Sequence, residues 1–513
     1  MTSCSARSSS HSITLTSAPG KVLVVGGYLV LDRNYSGLVV GTDASLYAAV
    51  QEQTFELSDF TDGASKSIPI LVVSPQFQSA WWNYAFDTES SKLAQRRSAD
   101  QDTNGFVQVV LEVTLGLVNY QSPEALQRLL ARSEGQTSAA GLKIVLSADN
   151  DFYSQRETLA RAGLNLSSES LKRLPRMCET GTTLKGVHKT GLGSSAAMVT
   201  SLVACILVHF NIISVSHLQP GKRLDSEHVR SLQLIHNIAQ YAHCLAQGKV
   251  GSGFDISAAV YGTHVYRRFS PAVLKEAMDE GRNIADIAHA VLPSNPGWNS
   301  DVEVVTIPPR FILRLADVDV GSNTPSMVKK VLYWQEAHQD AARALWNSLD
   351  TANNQIRELW GKLVSNYEND CLEYNQAIDW CSVHKCSDWK NGCSNASNST
   401  VALLCKLVDG IKQVRALQRK LGDNAGVPIE PPEQTKLLDA CLEVPGVCMA
   451  AVPGAGGYDA IFCVTLGQDS SAAVESLWSS WKAMSVGPLL ANQASSGVCV
   501  IDSTVYPEIM AYF

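Results

Sequence analysis

From Ile13 to Val25 apolar positions first alternate with polar ones and then run almost unbroken (ITLTSAPGKVLVV), which predicts two strands joined at Ala18-Pro19-Gly20. Strand-like runs follow at 37–41, 46–56 and 68–73. After them come a polar loop at 87–104, helices at 106–120 and 123–132, and a strand at 142–147. Residues 196–213 are nearly all apolar and long enough to resemble a membrane span. Thr200, Ser201, His209 and Asn211 interrupt them, so the stretch reads as a helix buried in a globular core. A helical period covers 226–247, and a strand pattern covers 263–269. Past a break at 293–297, strands are expected at 302–307 and 311–318, helices at 327–363 and 401–421, and a polar loop at 384–400. Strands at 447–452 and 460–466, a helix at 470–484 and a strand at 497–501 complete the pattern. Strands and helices intermix in both halves, which favours α+β over a doubly wound α/β sheet, and no internal repeat is present.

Composition narrows this picture. A chain of 513 residues is too long for one core and fits two large domains or three small ones, while 45% hydrophobic and 18% charged residues belong to a folded protein. A net charge of −8 excludes a general nucleic-acid binder, so any anion site must be a local cluster of Lys or Arg. Thirteen cysteines include no CxxC pair, and Cys381, Cys386 and Cys393 match no usual zinc spacing. They read as free thiols in a reducing compartment. The start, MTSCSARSSSHS, lacks an apolar h-region. A cytoplasmic location is expected, with a peroxisomal or other organellar one left open, and no membrane partner.

The candidate chemistry sits in three glycine-rich turns, at 18–21 (APGK), 191–195 (GLGSS) and 453–457 (PGAGG). In the second, Gly191 and Gly193 allow a tight turn, and Ser194 and Ser195 stand where a helix begins. Unpaired N–H groups and about half a positive charge gather at such a terminus, and both favour phosphate. Alone, this stretch reads first as a capped buried helix. Three such turns, two of them beside hydroxyls or a lysine, are a stronger signal than one. GxxxxGK[ST], GxGxxG, HRD and DFG are all absent, so neither a P-loop, nor a usual dinucleotide site, nor a protein kinase is encoded. Asp255, in GSGFD, reads from composition alone as a loop carboxylate. His236 and His243 lie seven apart on one helix face and read as structural. Asp317 and Asp319 share a strand face, where they could pair or organise the turn that follows.

The three turns in this order resemble the signature motifs of the GHMP small-molecule kinases. The likeness extends to the eukaryotic-type phosphomevalonate kinases at 18–31 (APGKVLVVGGYLVL), 147–155 (SADNDFYSQ), 189–197 (KTGLGSSAA) and 246–255 (AQGKVGSGFD). It continues at 317–330 (DVDVGSNTPSMVKK), 425–435 (AGVPIEPPEQT) and 452–462 (VPGAGGYDAIF). Mevalonate kinases and galactokinases carry a glutamate where this chain has Gly27. Val187 stands at a frequent proline position, and Cys244 stands where mevalonate kinases have a magnesium-binding glutamate.

The resemblance implies a two-domain α+β GHMP kinase fold. Its N-terminal domain, 1–305, would bind ATP and be like a ribosomal small-subunit protein, with a left-handed βαβ unit; a ferredoxin-like C-terminal domain would cover 306–513. It implies ATP-dependent phosphorylation of 5-phosphomevalonate to 5-diphosphomevalonate in the mevalonate pathway of isoprenoid synthesis, with ATP and Mg²⁺ as cofactors. Lys21 and Asp255 would be catalytic. Lys189, Thr190, Gly191, Leu192, Gly193, Ser194, Ser195 and Ala196 would hold the nucleotide, with the Ser194 and Ser195 hydroxyls on the metal. Tyr28, Ser252, Lys249, Arg267, Lys329 and Gly456 would meet the acceptor, with Arg268 and Lys330 expected to point away from it. Another GHMP enzyme, such as mevalonate kinase or diphosphomevalonate decarboxylase, and a non-catalytic sensor on the same fold stay open at this point, as does the oligomeric state.

Overall fold

Strand β1 (Thr14–Val25) pairs antiparallel with β2 (Ser36–Glu56) along most of its length in the computed structural model, which describes residues 12–56, 60, 67–96, 103–130, 138–221, 225–279, 283–318, 324–392 and 399–513. Asp319 and Cys393 lie outside the described residues. The Pro19-Gly20 step does not divide two strands as its sequence suggests. It is a register shift inside one strand, because proline removes a single ladder bond and a bulge absorbs the extra residue. Nor do 37–41 and 46–56 separate. The polar TDAS between them stays extended because its polar groups are used: Ser45 N–H donates to Asp149, and Asp43 accepts from Asn492 N–H.

Beside β2 lies β6 (Ser138–Ala148), and β3 (Ser67–Val73) runs parallel to β6. β4 (Trp81–Asp87) and β5 (Lys92–Arg96) extend that edge, the latter inside what the sequence suggests is loop. Helices α1 (Gly105–Gln121), α2 (Ser194–His209), α3 (Ser226–Gln247) and α4 (Phe254–Tyr261) pack on this sheet and one another. The apolar run of α2 is explained by its position, since it is buried almost all round from Ala196 to Val208. Among the described residues no helix is long and apolar enough to cross a membrane. β7 (His264–Arg267) joins β2, and β8 (Asp301–Val304) joins β7.

A second, antiparallel sheet contains β9 (Ile312–Val318), β10 (Val447–Ala451), β11 (Ala460–Thr465) and β12 (Val486–Pro488) in the order β10-β11-β9-β12. Counted along the chain this is the ferredoxin-like order. Between β9 and β10 come α5 (Thr324–Ala337), α6 (Gln339–Asn369), α7 (Cys371–Ser382), α8 (Thr400–Ala425) and α9 (Pro432–Leu442); α10 (Gln468–Ser480) joins β11 to β12. The single helix expected at 327–363 is two. His338 leaves helical geometry, its ring stacked on Trp334 and its Nδ1 3.2 Å from the Trp334 carbonyl, which satisfies an end-of-helix acceptor. The tail then returns to the first sheet, where β13 (Gln493–Ala494) pairs with β2 and β14 (Cys499–Val500) pairs with β1.

Cross-links fasten the sheets together. Arg156 donates from Nε to the Asp317 carboxylate on β9 (3.3 Å) and from its terminal nitrogen to the Asp317 carbonyl (2.9 Å), with His188 Nε2 3.3 Å from the other carboxylate oxygen. Asp151 accepts the N–H groups of Leu490 and Ala491. The pairing of Asp317 with Arg156 and His188 makes it a brace between the two parts of the chain.

Candidate functional site

The bulge in β1 delivers Lys21 to the turn that opens α2. Its backbone N–H donates to Leu192 O at 3.0 Å, and its ammonium donates to Gly191 O at 2.8 Å. Gly191 (φ 81°) and Gly193 (φ 83°) are both left-handed, and a β-carbon on Gly193 would lie 3.1 Å from Lys21 Cε. Glycine is therefore favoured there by backbone angle, with the lysine stem lying close across it. Thr190 anchors the turn, donating from its hydroxyl to Asp151 O. The free amides at the head of α2 follow at Ser194, Ser195 and Ala196.

Asp255 enters from the first turn of α4, behind Gly253 (φ 84°). The loop before it is held rigidly from one side. Arg268 is buried and donates to the carbonyls of Leu31, Val250 and Gly251, while Tyr266 donates to Ser252 O at 2.8 Å. Asp459, in the turn between β10 and β11, approaches the same place from the second sheet. Burial pulls the Lys21 ammonium below its ordinary pKa, and the carboxylates of Asp255 and Asp459 oppose that shift. A cation between two carboxylates beside an anion-binding helix terminus is balanced for a ligand of alternating charge.

Ser195 meets His243, a residue of α3, at 3.2 Å from Oγ to Nε2, and Gln247 Nε2 lies 3.3 Å from the same ring nitrogen. An amide N–H only donates, so the ring nitrogen accepts and the Ser195 hydrogen points back at it. The hydroxyl lone pairs are thereby left facing the turn. Burial lowers the His243 pKa, with Asp255 pulling the other way. One residue on, burial raises the Cys244 thiol, to which Gln240 donates at 3.1 Å. A protonated buried thiol is no ligand for magnesium.

The third turn is braced from below. Glu430 is buried between Arg415 (3.0 and 2.9 Å) and Arg419 and accepts from Thr435, which fixes the segment whose Ile429 carbonyl receives Gly457 N–H at 2.8 Å. Gly456 itself (φ 69°) abuts Ile429. Tyr28 donates to Ala455 O at 2.9 Å, and Gly454 N–H donates to Leu23 O. Gly27 is sealed by this contact, because a β-carbon there would stand 2.2 Å from Gly454 O. A glutamate at that position is sterically excluded.

The structure thus gathers Lys21, the 189–196 turn, Asp255 and Ser252, and ties Tyr28 to the Gly456 turn. Lys249 is exposed at the end of α3, and Lys329 and Lys330 are exposed on α5. Arg267 points outward and pairs with Asp301 at 3.2 Å, whereas Arg268 points inward, its guanidinium taken up by carbonyls. Sequence reasoning passed over Asp459, read His243 as structural, and expected Arg268 to point away from the acceptor. Asp459 was legible as the carboxylate two residues after the third glycine turn; the contact of His243 with Ser195 gave no local signal. Beside the phosphate turn a slot lined by Phe77, Asn104, Phe106, Tyr153 and Lys189 opens against Ser194 and Ser195.

With turns, helix termini and sheets in this arrangement the class is a GHMP small-molecule kinase, and the family described as GHMP kinases C terminal matches residues 402–485. Over 503 residues, 95% of each chain, the sequence is 37% identical to the peroxisomal phosphomevalonate kinase of Arabidopsis thaliana. It is 35% identical over 493 residues to an Aspergillus fumigatus phosphomevalonate kinase, covering 91% of this chain and 89% of that one. The chain belongs to the phosphomevalonate kinase family. Its fold is also that of Streptococcus pneumoniae phosphomevalonate kinase in complex with phosphomevalonate and AMPPNP, with a TM-score of 0.52 at 14% identity over 94% of this chain and 99% of that one.

Proposed function

We infer that this protein transfers the terminal phosphoryl group of ATP to the phosphate of 5-phosphomevalonate, giving ADP and 5-diphosphomevalonate in the mevalonate pathway of isoprenoid biosynthesis. The observation that carries the reading is the meeting of Lys21 with the Gly191–Ser195 turn and Asp255, three segments far apart in sequence. The aromatic slot beside Ser194 suits the nucleotide base, and the α2 amides suit its phosphates.

The acceptor is a phosphomonoester with a second pKa near 6, so at neutral pH its attacking oxygen is mostly ionised without help. The difficulty is bringing two anions together, and phosphoryl transfer relies on positioning and charge stabilisation. Lys21 neutralises charge on the migrating group. Asp255 orients Lys21 and the acceptor rather than removing a proton. The donors present suit Mg²⁺, which takes few protein carboxylates, hydroxyls and phosphate oxygens; Asp255, Asp459, Ser194 and Ser195 would hold it, and it would supply charge neutralisation between the phosphates. Lys249 and Lys329 are proposed for the acceptor phosphate, with Tyr28, Ser252 and Gly456 shaping the pocket; Arg267, expected there from the sequence, is turned outward to Asp301 and is not part of this proposal. The proposed division into 1–305 and 306–513 follows the two sheets except at the tail, where Gln493–Ala494 and Cys499–Val500 belong to the first sheet. A cytoplasmic site of action is proposed from the eleven free cysteines among the described residues, with the peroxisome as the alternative that the Arabidopsis relative's name suggests.

A mevalonate kinase reading is weakened by the closed wall at Gly27, and a sensor reading by the intact Lys21, Asp255 and Ser195. A coupled ADP-release assay with phosphomevalonate, mevalonate and diphosphomevalonate side by side tests the assignment. Phosphomevalonate is expected to lead in kcat/KM by about two orders of magnitude, what two charge-assisted bonds supply. Equal use of mevalonate would overturn the substrate while leaving the kinase class.

A further inference from the structure

In the loop that precedes Asp255, the carbonyls of Val250, Gly251 and Ser252 are all held from one side. Arg268 donates from one terminal nitrogen to Val250 O at 3.1 Å and to Gly251 O, and Tyr266 donates to Ser252 O at 2.8 Å. A planar trans peptide sets its N–H opposite its C=O, and no peptide among the described residues is cis. The N–H groups of Gly251, Ser252 and Gly253 are therefore turned away from those two side chains. Gly251 donates its own to the Cys244 sulfur. Among the described residues the Ser252 and Gly253 N–H groups have no acceptor.

Arg268 also brings an uncompensated charge to this loop. It is 9% exposed, its other terminal nitrogen donates to Leu31 O, and among the described residues no carboxylate pairs with it. Burial works against its charge, and the groups that oppose this effect, Tyr266, Cys244 and Asp32, do so without an ion pair. A buried cation surrounded only by carbonyl dipoles leaves positive potential on the far side of the loop it grips. Ser252 is partly exposed while Arg268 is buried, so the loop opens on the side its free N–H groups face. The segment runs from Lys249, proposed for the acceptor phosphate, to Asp255. Two N–H donors with a cation behind them suit an oxyanion.

We propose that Arg268 is a positioning residue for the acceptor, turning this loop so that the Ser252 and Gly253 N–H groups donate to the phosphate of phosphomevalonate. Arg268 touches no substrate itself; it fixes the peptide dipoles and adds its charge from behind them. The inference rests on the phosphomevalonate reading and names backbone groups that would recognise the phosphate, which mevalonate lacks.

The test measures binding to the full-length protein by calorimetry, with phosphomevalonate, mevalonate and a non-hydrolysable ATP analogue as probes. Arg268→Met should weaken phosphomevalonate about 10- to 100-fold, the range of a charge-assisted contact, and leave the other two probes within about twofold. Arg268→Lys, which keeps the charge but not the fork, should recover part of the loss. In wild-type protein labelled with ¹⁵N-serine, phosphomevalonate should move the Ser252 amide resonance downfield, and mevalonate should not. That resonance is identified by its loss in Ser252→Ala. Equal weakening of all three probes would make Arg268 a packing residue and overturn the proposal, as would an unmoved Ser252 amide. Should Arg268→Met fail to fold, Arg268→Lys and the wild-type resonance decide the matter. A wild type that binds no phosphomevalonate would overturn the substrate reading and this inference with it, whereas binding indifferent to Arg268 overturns this inference alone.

Discussion

Two buried histidines on α3, seven residues apart, sit in opposite surroundings. His243 faces Ser195 and, through it, the charged turn at the head of α2; His236 is packed against the rings of Tyr261 and Trp298. Helix α4 repeats the contrast, with Asp255 in its first turn and Tyr261 at its last. Burial lowers both imidazole pKa values, so burial does not distinguish them. What differs is the company. At the cleft, helix termini, a lysine and two carboxylates sustain charge, while at the other end the groups are neutral. Ionisable chemistry is concentrated where the backbone already supplies oriented dipoles.

The largest effects should come from the charged end. Lys21→Met and Asp255→Asn are each expected to lower kcat by about 10²–10³, the range seen on removing one preorganised charge-stabilising group, with ATP affinity in Asp255→Asn near wild type. Tyr261→Phe, on the same helix as Asp255, should leave kcat within about twofold. If Asp255 orients rather than abstracts, the acid limb of the pH–rate profile should persist in Asp255→Asn and follow the ionisation of the acceptor. Steady-state kinetics across pH 5–8 would show this. Loss of the limb in the variant would restore a general-base role.

How much of this was legible beforehand varies with how local the signal was. The helix of α3 and strand β9 are marked by periodicity and were readable nearly to the residue. The phosphate turn was readable only because two other glycine-rich turns accompany it; alone, glycines before an apolar helix also mark a capped buried helix. Helix α4, only eight residues long after a glycine loop, left too short a period to detect, and α7 and α9 were missed beside longer polar stretches. The joins within β1 and β2 were misread because proline and polar residues usually mark turns; here tertiary partners such as Asp149 and Asn492 satisfy them. The orientation of Arg267 and Arg268 could not be read from strand alternation without knowing which face was inward. Ser195 and His243 are 48 residues apart, and only folding shows that they touch.

A smaller effect should isolate that contact. His243→Leu ought to raise the KM for Mg·ATP about three- to tenfold, with a lesser change in kcat, because the Ser195 hydroxyl loses the acceptor that aims its lone pairs. If His243 acts through Ser195, the double variant with Ser195→Ala should be no worse than Ser195→Ala alone, whereas independent roles would give additive losses. Far-ultraviolet circular dichroism and thermal midpoints of the four proteins would separate a positioning effect from a folding defect. Additivity in the cycle would make His243 a packing residue like its neighbours.

The smallest expected effect concerns a carboxylate placed near no cation. Asp151 accepts from Leu490 and Ala491 N–H, yet burial, reinforced by Asp149 and Asp43, pushes its pKa up to about 6 from the usual 3.8 against those two bonds. The folded protein therefore holds a proton that the unfolded chain releases between about pH 4 and pH 6. The stabilisation from this group is complete below the unfolded value and is lost as pH rises through 6. Partial exposure trims the size to about 1–2 kcal/mol. Asp151→Asn keeps an acceptor oxygen for both amides and removes the charge. Its urea midpoint, compared with wild type from pH 4.5 to pH 7.5, should gain steadily on the wild type as pH increases. Parallel curves would mean that the two backbone donors suffice to keep Asp151 ionised throughout, dipoles alone holding a buried charge without a neighbouring cation.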